Sequence, residues 1–442
     1  MGGAVLLFRR LLDERGVKSP DDFLPLYRRT AATLGAGTAE PAPKTIEGWI
    51  YEGRKPQRAF RPVIETMLGR TVELLWTEVP EGVGRKLGPS SPAFIHADGV
   101  DLNDMKRTGA MAVQRAKEFL LGKDQGTVGA DTLGLLDEEV ERLIIAYPRE
   151  PLNLIWEDLL ATQDQVFRLL EGGRVRPSQL RDLNYKGAVL SFLVAKGFND
   201  MGSRHQAQTM TRVAAACAKD AEHAGLIALT DGLKSLIAYW AGRYGDAYHY
   251  AGQGVEMAAH MQGTVGVWLM GLQARAAAAL GDSEPARAAN TQADERRERV
   301  VPDDLDSLGG LFTYPVEKQL YYSVECEALL GNGSAETVAL AERAVEGFSD
   351  PTAASWAFGD LAGAQCDLAL VRLFSGDLDG AAAAMRPVLD LPVSHRNNGI
   401  VVSAQRVRAA LAGGSVNGAV VARDLTAEIE AFPATRLALP RG

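Results

Sequence analysis

The chain has 442 residues, of which 46% are hydrophobic and 23% charged, and its formal net charge is −9. This composition is typical of a globular protein and excludes a disordered or fibrous chain, while the length predicts two or more domains. No apolar run reaches the roughly 18 residues that a transmembrane helix needs, so no membrane span is expected. Three cysteines far apart in the chain predict buried thiols in a reducing cytoplasm: Cys217, Cys326 and Cys366.

Helix signals begin early in the chain. Ser19 is a predicted N-cap and Pro20 suits the first helical position. The helix FLPLYRRTAATLG follows. Residues 1–80 contain 12 Lys and Arg against 10 Asp and Glu, a balance of +2 that leaves −11 for the rest of the chain. This basic excess is weak for a nucleic-acid-binding domain, so such a domain would have a small footprint, doubled by dimerisation.

Residues 44–76 read KTIEGWIYEGRKPQRAFRPVIETMLGRTVELLW. Ile46, Trp49 and Ile50 share one face of a helix that is predicted to end at Gly53. A basic turn, a second helix and a short third helix follow. We expect the first helix to enter the major groove by its N-terminal residues, while the basic turn meets phosphates. The candidate DNA-binding residues are Lys44, Thr45, Glu47, Arg54, Lys55, Gln57 and Arg58.

Residues 80–104 are a predicted linker, because their first part, PEGVGRKLGPSSP, is rich in Gly, Pro and Ser. From residue 105 onward the pattern is helix, polar break, helix. Four segments fit a 3.6-residue period: MKRTGAMAVQRAKEFL, LLDEEVERLIIAY, LNLIWEDLLATQDQVFRLL and QLRDLNYKGAVLSFLVA. The charged run ADERRERVVPDDLD (293–306) predicts a solvated helix end and loop.

Glycine precedes alanine by five residues at four places in the second half of the chain. We expect each glycine to end the first helix of a hairpin, and each alanine to let the second helix pack closely. The segment LLGNGSAETVALAERAVEGF breaks this spacing. The four pairs are Gly242 and Ala247, Gly281 and Ala286, Gly376 and Ala381, and Gly414 and Ala419.

These hairpins resemble tetratricopeptide (TPR) repeats stacked into a superhelix, over about 180–430 and most strongly in AYWAGRYGDAYHYAGQGVEMA (238–258). The earlier stretch resembles the second half of an Xre/Cro-type helix-turn-helix. The whole order of motifs, including RPSQLRDLNYKGAVLSFLVA and LIAYWAGRYGDA, resembles large actinomycete regulators of that architecture. The residues that carry the Xre-type resemblance are Ile46, Trp49, Gly53, Arg54, Lys55, Pro56, Leu68 and Gly69.

The resemblance implies an all-α protein in three parts. Residues 1–79 are an Xre-like helix-turn-helix domain, 80–104 the linker and 105–442 a TPR-like α-solenoid. It implies a cytoplasmic homodimer that regulates transcription and binds double-stranded DNA, whose repeats dimerise or sense a peptide, small-molecule or protein ligand. The alternative is a TPR-type interaction scaffold with a degenerate helix-turn-helix. Gly48 favours the scaffold because it offers no side chain where the family usually contacts a base.

No motif of the kind that carries catalysis or nucleotide binding is present, so neither an enzyme nor a cofactor is expected. The six histidines lack metal-ligand spacing, so no metal site is expected. Tyrosines crowd two of the hairpins, where they either pack between helices or contact a ligand with their large, polar-tipped rings. The candidate ligand or partner contacts are Tyr244, Tyr248, Tyr321 and Tyr322.

Overall fold

The computed structural model describes residues 4–14, 17–34, 40–57, 59–68, 72–80, 129–172, 175–413 and 419–432. The chain divides into two compact units, Met1–Val100 and Asp101–Gly442. Apart from one pair of three-residue strands, the regular elements of the described residues are helices, which confirms the all-α class. Nearly all of the predicted linker, the helix predicted at 105–120 and the turn at Gly414 lie outside the described residues.

The described part of the first unit contains one strand pair and five helices around a single core. Strand β1 (Ala4–Leu6) pairs antiparallel with β2 (Glu78–Pro80) and so joins the first and last described elements of the unit. The helices between them are α1 (Leu7–Glu14), α2 (Pro20–Leu34), α3 (Pro43–Ile50), α4 (Arg61–Leu68) and α5 (Val72–Leu75).

Local signals set the start of α2 but not the end of α3. Ser19 caps α2 as predicted, since its Oγ accepts a hydrogen bond from the Asp22 N–H at 3.3 Å and the Asp22 carboxylate accepts one from the Ser19 N–H at 3.0 Å. The prediction that the next helix runs to Gly53 is wrong by three residues. The chain leaves α3 after Ile50 because the Arg54 N–H turns back to the Gly48 carbonyl, at 2.9 Å.

The second unit begins with α6 (Ala130–Ala146) and α7 (Leu152–Glu171) and continues as helical hairpins. The inner helix of each hairpin is named before its outer partner: α8 (Pro177–Asp200) with α9 (Arg204–Asp220), α10 (Ala224–Trp240) with α11 (Tyr244–Met257), α12 (Val265–Leu280) with α13 (Ser283–Arg297), then the short α14 (Asp304–Leu308), α15 (Val316–Leu329) with α16 (Ala335–Glu346), α17 (Phe358–Phe374) with α18 (Leu378–Leu389), and α19 (Asn398–Gly413) with α20 (Val420–Ala431).

Glycine and alanine act at the hairpin turns as predicted. At the α12–α13 turn Gly281 has φ +86°, its N–H donates to the Ala278 carbonyl, and the Asp282 N–H donates to the Ala277 carbonyl, both at 3.0 Å. The alanine five residues after the glycine is fully buried at Ala247, Ala286 and Ala381. The same device recurs at Gly202 and Ala207, a pair that the sequence analysis did not identify.

The inner helices of the second unit close into a ring. Each of α8, α10, α12, α15, α17 and α19 contacts the next, and α19 contacts both α8 and α10. The turn after α6 also reaches the segment before α17. There Arg149 donates to the carbonyls of Pro351 and Ala353 at 3.1 and 2.6 Å, and the Phe358 N–H donates to the Pro148 carbonyl at 3.2 Å. The first and last hairpins therefore meet.

The chain between α13 and α15, residues 299–315, packs in part against the inner helices of this ring. His223 Nε2 lies 2.8 Å from Asp304 Oδ2, Leu305 is fully buried, and the ring of Phe312 lies 5.2 Å from that of Phe192. The prediction of a solvated loop at 293–306 is therefore wrong for its inner residues. Arg297, in the same run, is half-buried as well, and its Nη2 donates a hydrogen bond to the Tyr314 carbonyl at 2.6 Å.

The interior of the second unit also holds the cysteines. All three are buried and unbridged, as predicted. In the part of the chain that the structure describes, no helix is long and apolar enough to cross a bilayer.

Candidate functional site

The first candidate surface lies on α3 of the N-terminal unit. Its apolar stripe is buried, so the opposite side of the helix faces outward. Of the predicted base-contacting residues, Lys44 and Glu47 are exposed and Thr45 is half-buried. Trp49 helps to fix this orientation because its ring packs against Phe23, with 6.1 Å between the centroids.

The basic turn after α3 is attached to the core through its backbone. The indole Nε1 of Trp76 donates a hydrogen bond to the Gly53 carbonyl at 2.9 Å. The side chain of Arg54 lies over Gly48, where an added methyl group would stand 3.3 Å from the arginine Cδ. Gly48 therefore leaves room for Arg54 along α3, one helical turn from Lys44.

The remaining predicted DNA contacts surround this turn. Lys55 and Gln57 are exposed, and Arg58 lies outside the described residues. Arg54 forms an ion pair with Glu52 at 2.6 Å, with the two side chains 75% and 53% exposed. So exposed a pair contributes at most about 1 kcal/mol and can exchange partners readily. The turn is thus an exposed cationic surface with an acidic neighbour.

Two residues that the sequence analysis did not identify hold the end of α3. Arg9 Nη1 donates to the Ile50 carbonyl at 3.5 Å, and its guanidinium lies 5.2 Å from the centre of the Tyr51 ring. The Tyr51 hydroxyl donates to the Lys18 carbonyl at 2.8 Å. These partners are 41 and 33 residues apart, so no local pattern in the sequence could have indicated them.

The second candidate site is a cavity inside the ring of the second unit. The space free of protein atoms, counted out to its opening, is about 1060 Å³. Nine aromatic side chains line it, among them Trp240, Trp268 and Phe312. Five charged side chains also line it: Lys196, Asp200, Arg275, Lys318 and Asp360. Large apolar walls with a few converging polar groups are typical of small-molecule sites.

One wall of the cavity contains a buried charged cluster. Arg275 and Glu325 are each 1% exposed, and the arginine Nε lies 2.6 Å from the carboxylate Oε2, an ion pair without hydrogen-bond alignment. The other carboxylate oxygen accepts hydrogen bonds from Arg406 Nη1 at 2.8 Å and from the Tyr239 hydroxyl at 2.6 Å. A single carboxylate thus serves two guanidinium groups.

Aromatic rings hold the Arg275 guanidinium from both sides. Its central carbon lies 4.0 Å from the centre of the Tyr322 ring and 4.4 Å from that of Tyr239, both within the range of cation–π attraction. Its Nη2 is buried and has no hydrogen-bond partner among the described residues. Arg275 therefore retains a donor that no protein atom of the described chain satisfies.

The pKa values of the two buried carboxyls near this cluster shift in opposite directions. Burial acts to raise the pKa of Glu325, but the charges of Arg275 and Arg406 outweigh it and hold that pKa below its usual value. Burial and then the charge of Glu325 raise the pKa of Asp367 well above its usual value. Asp367 Oδ2 has no hydrogen-bond partner in the described chain. The environment thus favours the neutral form of Asp367.

Two further ion pairs border the cavity. Lys318 Nζ lies 2.9 Å from Asp360 Oδ2, and Lys196 Nζ lies 2.5 Å from Asp200 Oδ1. The Tyr147 hydroxyl donates to the other oxygen of Asp200 at 2.9 Å. Across the described residues, no group of three or more His, Cys, Asp or Glu side chains could hold a metal ion.

The structure separates the four tyrosines that the sequence analysis treated alike. Tyr321 and Tyr322 are buried and line the cavity. Tyr244 and Tyr248 do not line it and pack beside Ala247 in a separate apolar cluster. Their periodicity could not distinguish these cases, because the distinction depends on which hairpin face points into the ring.

Arg275 is one of the cavity residues that were not predicted from the sequence, although a signal was present. It is a lone cation within the apolar run TVGVWLMGLQARAAAAL, and an isolated charge in a buried helix usually has a partner. That partner, Glu325, stands 50 residues later and could not be identified without the fold.

Comparison with known proteins adds no further assignment. No model of a protein family matches the chain, and no curated protein matches its sequence significantly.

Proposed function

We propose that the chain is a transcription regulator that binds double-stranded DNA as a homodimer. Its first unit would be an Xre-like helix-turn-helix domain. Its second unit, the TPR-like array, would dimerise the protein, sense a ligand or partner, or do both. The observation that carries the proposal is α3, where exposed Lys44 and Glu47 lie close to the exposed cation Arg54.

Physical reasons support this assignment of roles. The N-terminal end of a helix carries a partial positive charge and free N–H groups that favour phosphate oxygens. Arg54 and Lys55 add full positive charges, and the hydrogen bond from Trp76 to the Gly53 carbonyl keeps their turn in a fixed place. The geometry supports phosphate contacts more strongly than base readout, because Gly48 presents no side chain to a base.

The test is fluorescence anisotropy of the full chain on sheared genomic DNA from its source, titrated with salt. The double variant Arg54→Ala/Lys55→Ala should weaken binding about equally on all sequences. It should also reduce the slope of log affinity against log salt by about two for each bound chain. The matched control is Arg287→Ala/Arg386→Ala, which removes the same charge from side chains of the second unit that are 57% and 51% exposed.

If the control variant reduces the slope as much as Arg54→Ala/Lys55→Ala does, the basic turn is not part of the DNA interface. Sedimentation equilibrium on the same samples tests the homodimer, and a monomer at the concentrations that bind DNA would refute that part of the proposal.

A protein-interaction scaffold is the second candidate, and the ion pair between Arg54 and Glu52 favours it. That acid offsets a cation which a phosphate clamp would use. A folded wild-type chain with no salt-dependent affinity for DNA would support the scaffold, and a pull-down for protein partners would then be the next experiment.

A further inference from the structure

The cavity of the second unit has about 120 Å³ of space that the centre of a water molecule can occupy. One water needs roughly 10–15 Å³ of such space, so the cavity has room for a compact molecule. Residues 311–314 line the cavity together with the inner helices, and the ring of Phe312 lies 5.2 Å from that of Phe192. An occupant is therefore a compact molecule that lies between this segment and the inner helices.

The cations around the cavity are not all paired one to one with a carboxylate. Lys196 and Lys318 are each balanced by one aspartate. Arg275 and Arg406 share the single carboxylate of Glu325. Two guanidinium groups that share one carboxylate in a region of low polarity are stabilised when an anion enters.

Two of these cations lie near one aromatic ring. The Arg275 guanidinium carbon lies 4.0 Å, and Lys318 Nζ 6.0 Å, from the centre of the Tyr322 ring. Both residues line the cavity, and Arg275 Nη2 has no partner among the described residues. Two cations, one of them with an unsatisfied donor, therefore lie on one part of the wall.

Apolar rings form much of the remaining wall. Phe192, Trp268 and Phe312 line it, and the two phenylalanine rings lie 5.2 Å apart. Such surfaces stabilise a flat apolar body by burial and ring stacking. The wall thus combines an anion-attracting region with an apolar region.

We propose that this cavity binds a small organic acid, whose carboxylate lies at Arg275 and Lys318 and whose apolar ring system lies against Trp268 and Phe312. The inference rests on the proposed function, because it names the class of ligand that the second unit would sense. Its test is made without DNA, so a failure here and a failure of DNA binding are separate results.

The experiment is isothermal titration calorimetry of the full chain with three matched probes: naphthalene-2-carboxylate, its neutral amide and the corresponding cationic naphthylmethylamine. The carboxylate should bind once per chain and at least about tenfold more tightly than the amide, equal to about 1.4 kcal/mol. The amine should bind most weakly of the three.

Opposite substitutions within one ion pair locate the site. Lys318→Met should weaken carboxylate binding by about tenfold or more, whereas Asp360→Asn should strengthen it, since removal of a neighbouring negative charge favours an anion. A purely structural effect would weaken binding in both variants. If Lys318→Met does not fold, Lys318→Gln replaces it. The matched control Lys234→Met breaks a lysine–aspartate pair of 2.7 Å outside the cavity and should leave binding unchanged.

Three results would overturn the proposal. The first is equal affinity for the carboxylate and the amide. The second is a loss of affinity in both Lys318→Met and Asp360→Asn. The third is no binding of any probe up to about 1 mM, the weakest affinity expected of a built site.

Discussion

Replacement of Glu325 by glutamine should be the most destabilising conservative change in the second unit. Glu325 is 1% exposed, and its carboxylate lies 2.6 Å from buried Arg275 and 2.8 Å from Arg406. The amide has nearly the same shape but no charge, so Arg275 remains buried without an anion. Breaking a buried pair in this way costs about 3–5 kcal/mol.

The matched control is Glu428→Gln. Glu428 pairs with Arg386 at 2.7 Å, but the side chains are 43% and 51% exposed, so water replaces the lost partner. An exposed pair of this kind contributes about 0–1 kcal/mol. The two substitutions make the same chemical change, and only the burial of the partner distinguishes them.

The assay is urea unfolding of the full chain followed by far-ultraviolet circular dichroism, with free energies taken from midpoints at a common slope. The double variant Arg275→Met/Glu325→Gln should recover part of the loss, because it no longer buries an unpaired guanidinium. If Glu325→Gln destabilises the protein no more than Glu428→Gln does, burial of an unpaired Arg275 guanidinium is not costly and the prediction is wrong.

Three further experiments test a hairpin turn, a helix–helix contact and a buried carboxyl. Gly281→Ala should lower the free energy of unfolding by about 1 kcal/mol, because Gly281 has φ +86°. Gly134→Ala in helix α6 has open space at the Cβ position and should raise that free energy by up to about 1 kcal/mol. Thermal melts of both variants test this, and a change of the same sign in both would contradict it. Ala286→Leu should cost about 1–3 kcal/mol by overpacking the α12–α13 contact, whereas exposed Ala288→Leu should change little; equal urea midpoints would show that the contact is not close-packed. Asp367→Asn should stabilise the protein at pH 7, because a carboxyl with a raised pKa in the folded state makes stability fall as pH rises above the ordinary value of 3.8. The gain in the free energy of unfolding should grow by up to about 1.4 kcal/mol per pH unit and vanish below about pH 4. A gain that does not change with pH would exclude titration of Asp367 as its cause.

The local features of this protein could be predicted from its sequence. Ser19 and Pro20 start α2, and the glycine–alanine pairs such as Gly281 and Ala286 mark hairpin turns. These features depend on backbone conformation and on side chains within a few residues, so their signals are readable from spacing alone. The apolar stripe that orients α3 is readable for the same reason, although the end of that helix is not.

The positions of the buried charges, in contrast, could not be predicted from the sequence. Arg275, Glu325 and Arg406 come from three helices, and Arg406 is 81 residues from Glu325. The closing of the inner helices into a ring and the packing of Phe312 against Phe192 depend on contacts between distant segments. Periodicity shows that a helix has a buried face, but the partner of that face is set by how all the hairpins pack together. For this reason the sequence could indicate the helical repeats and their turns, whereas the cavity and its cationic wall became visible only in the fold.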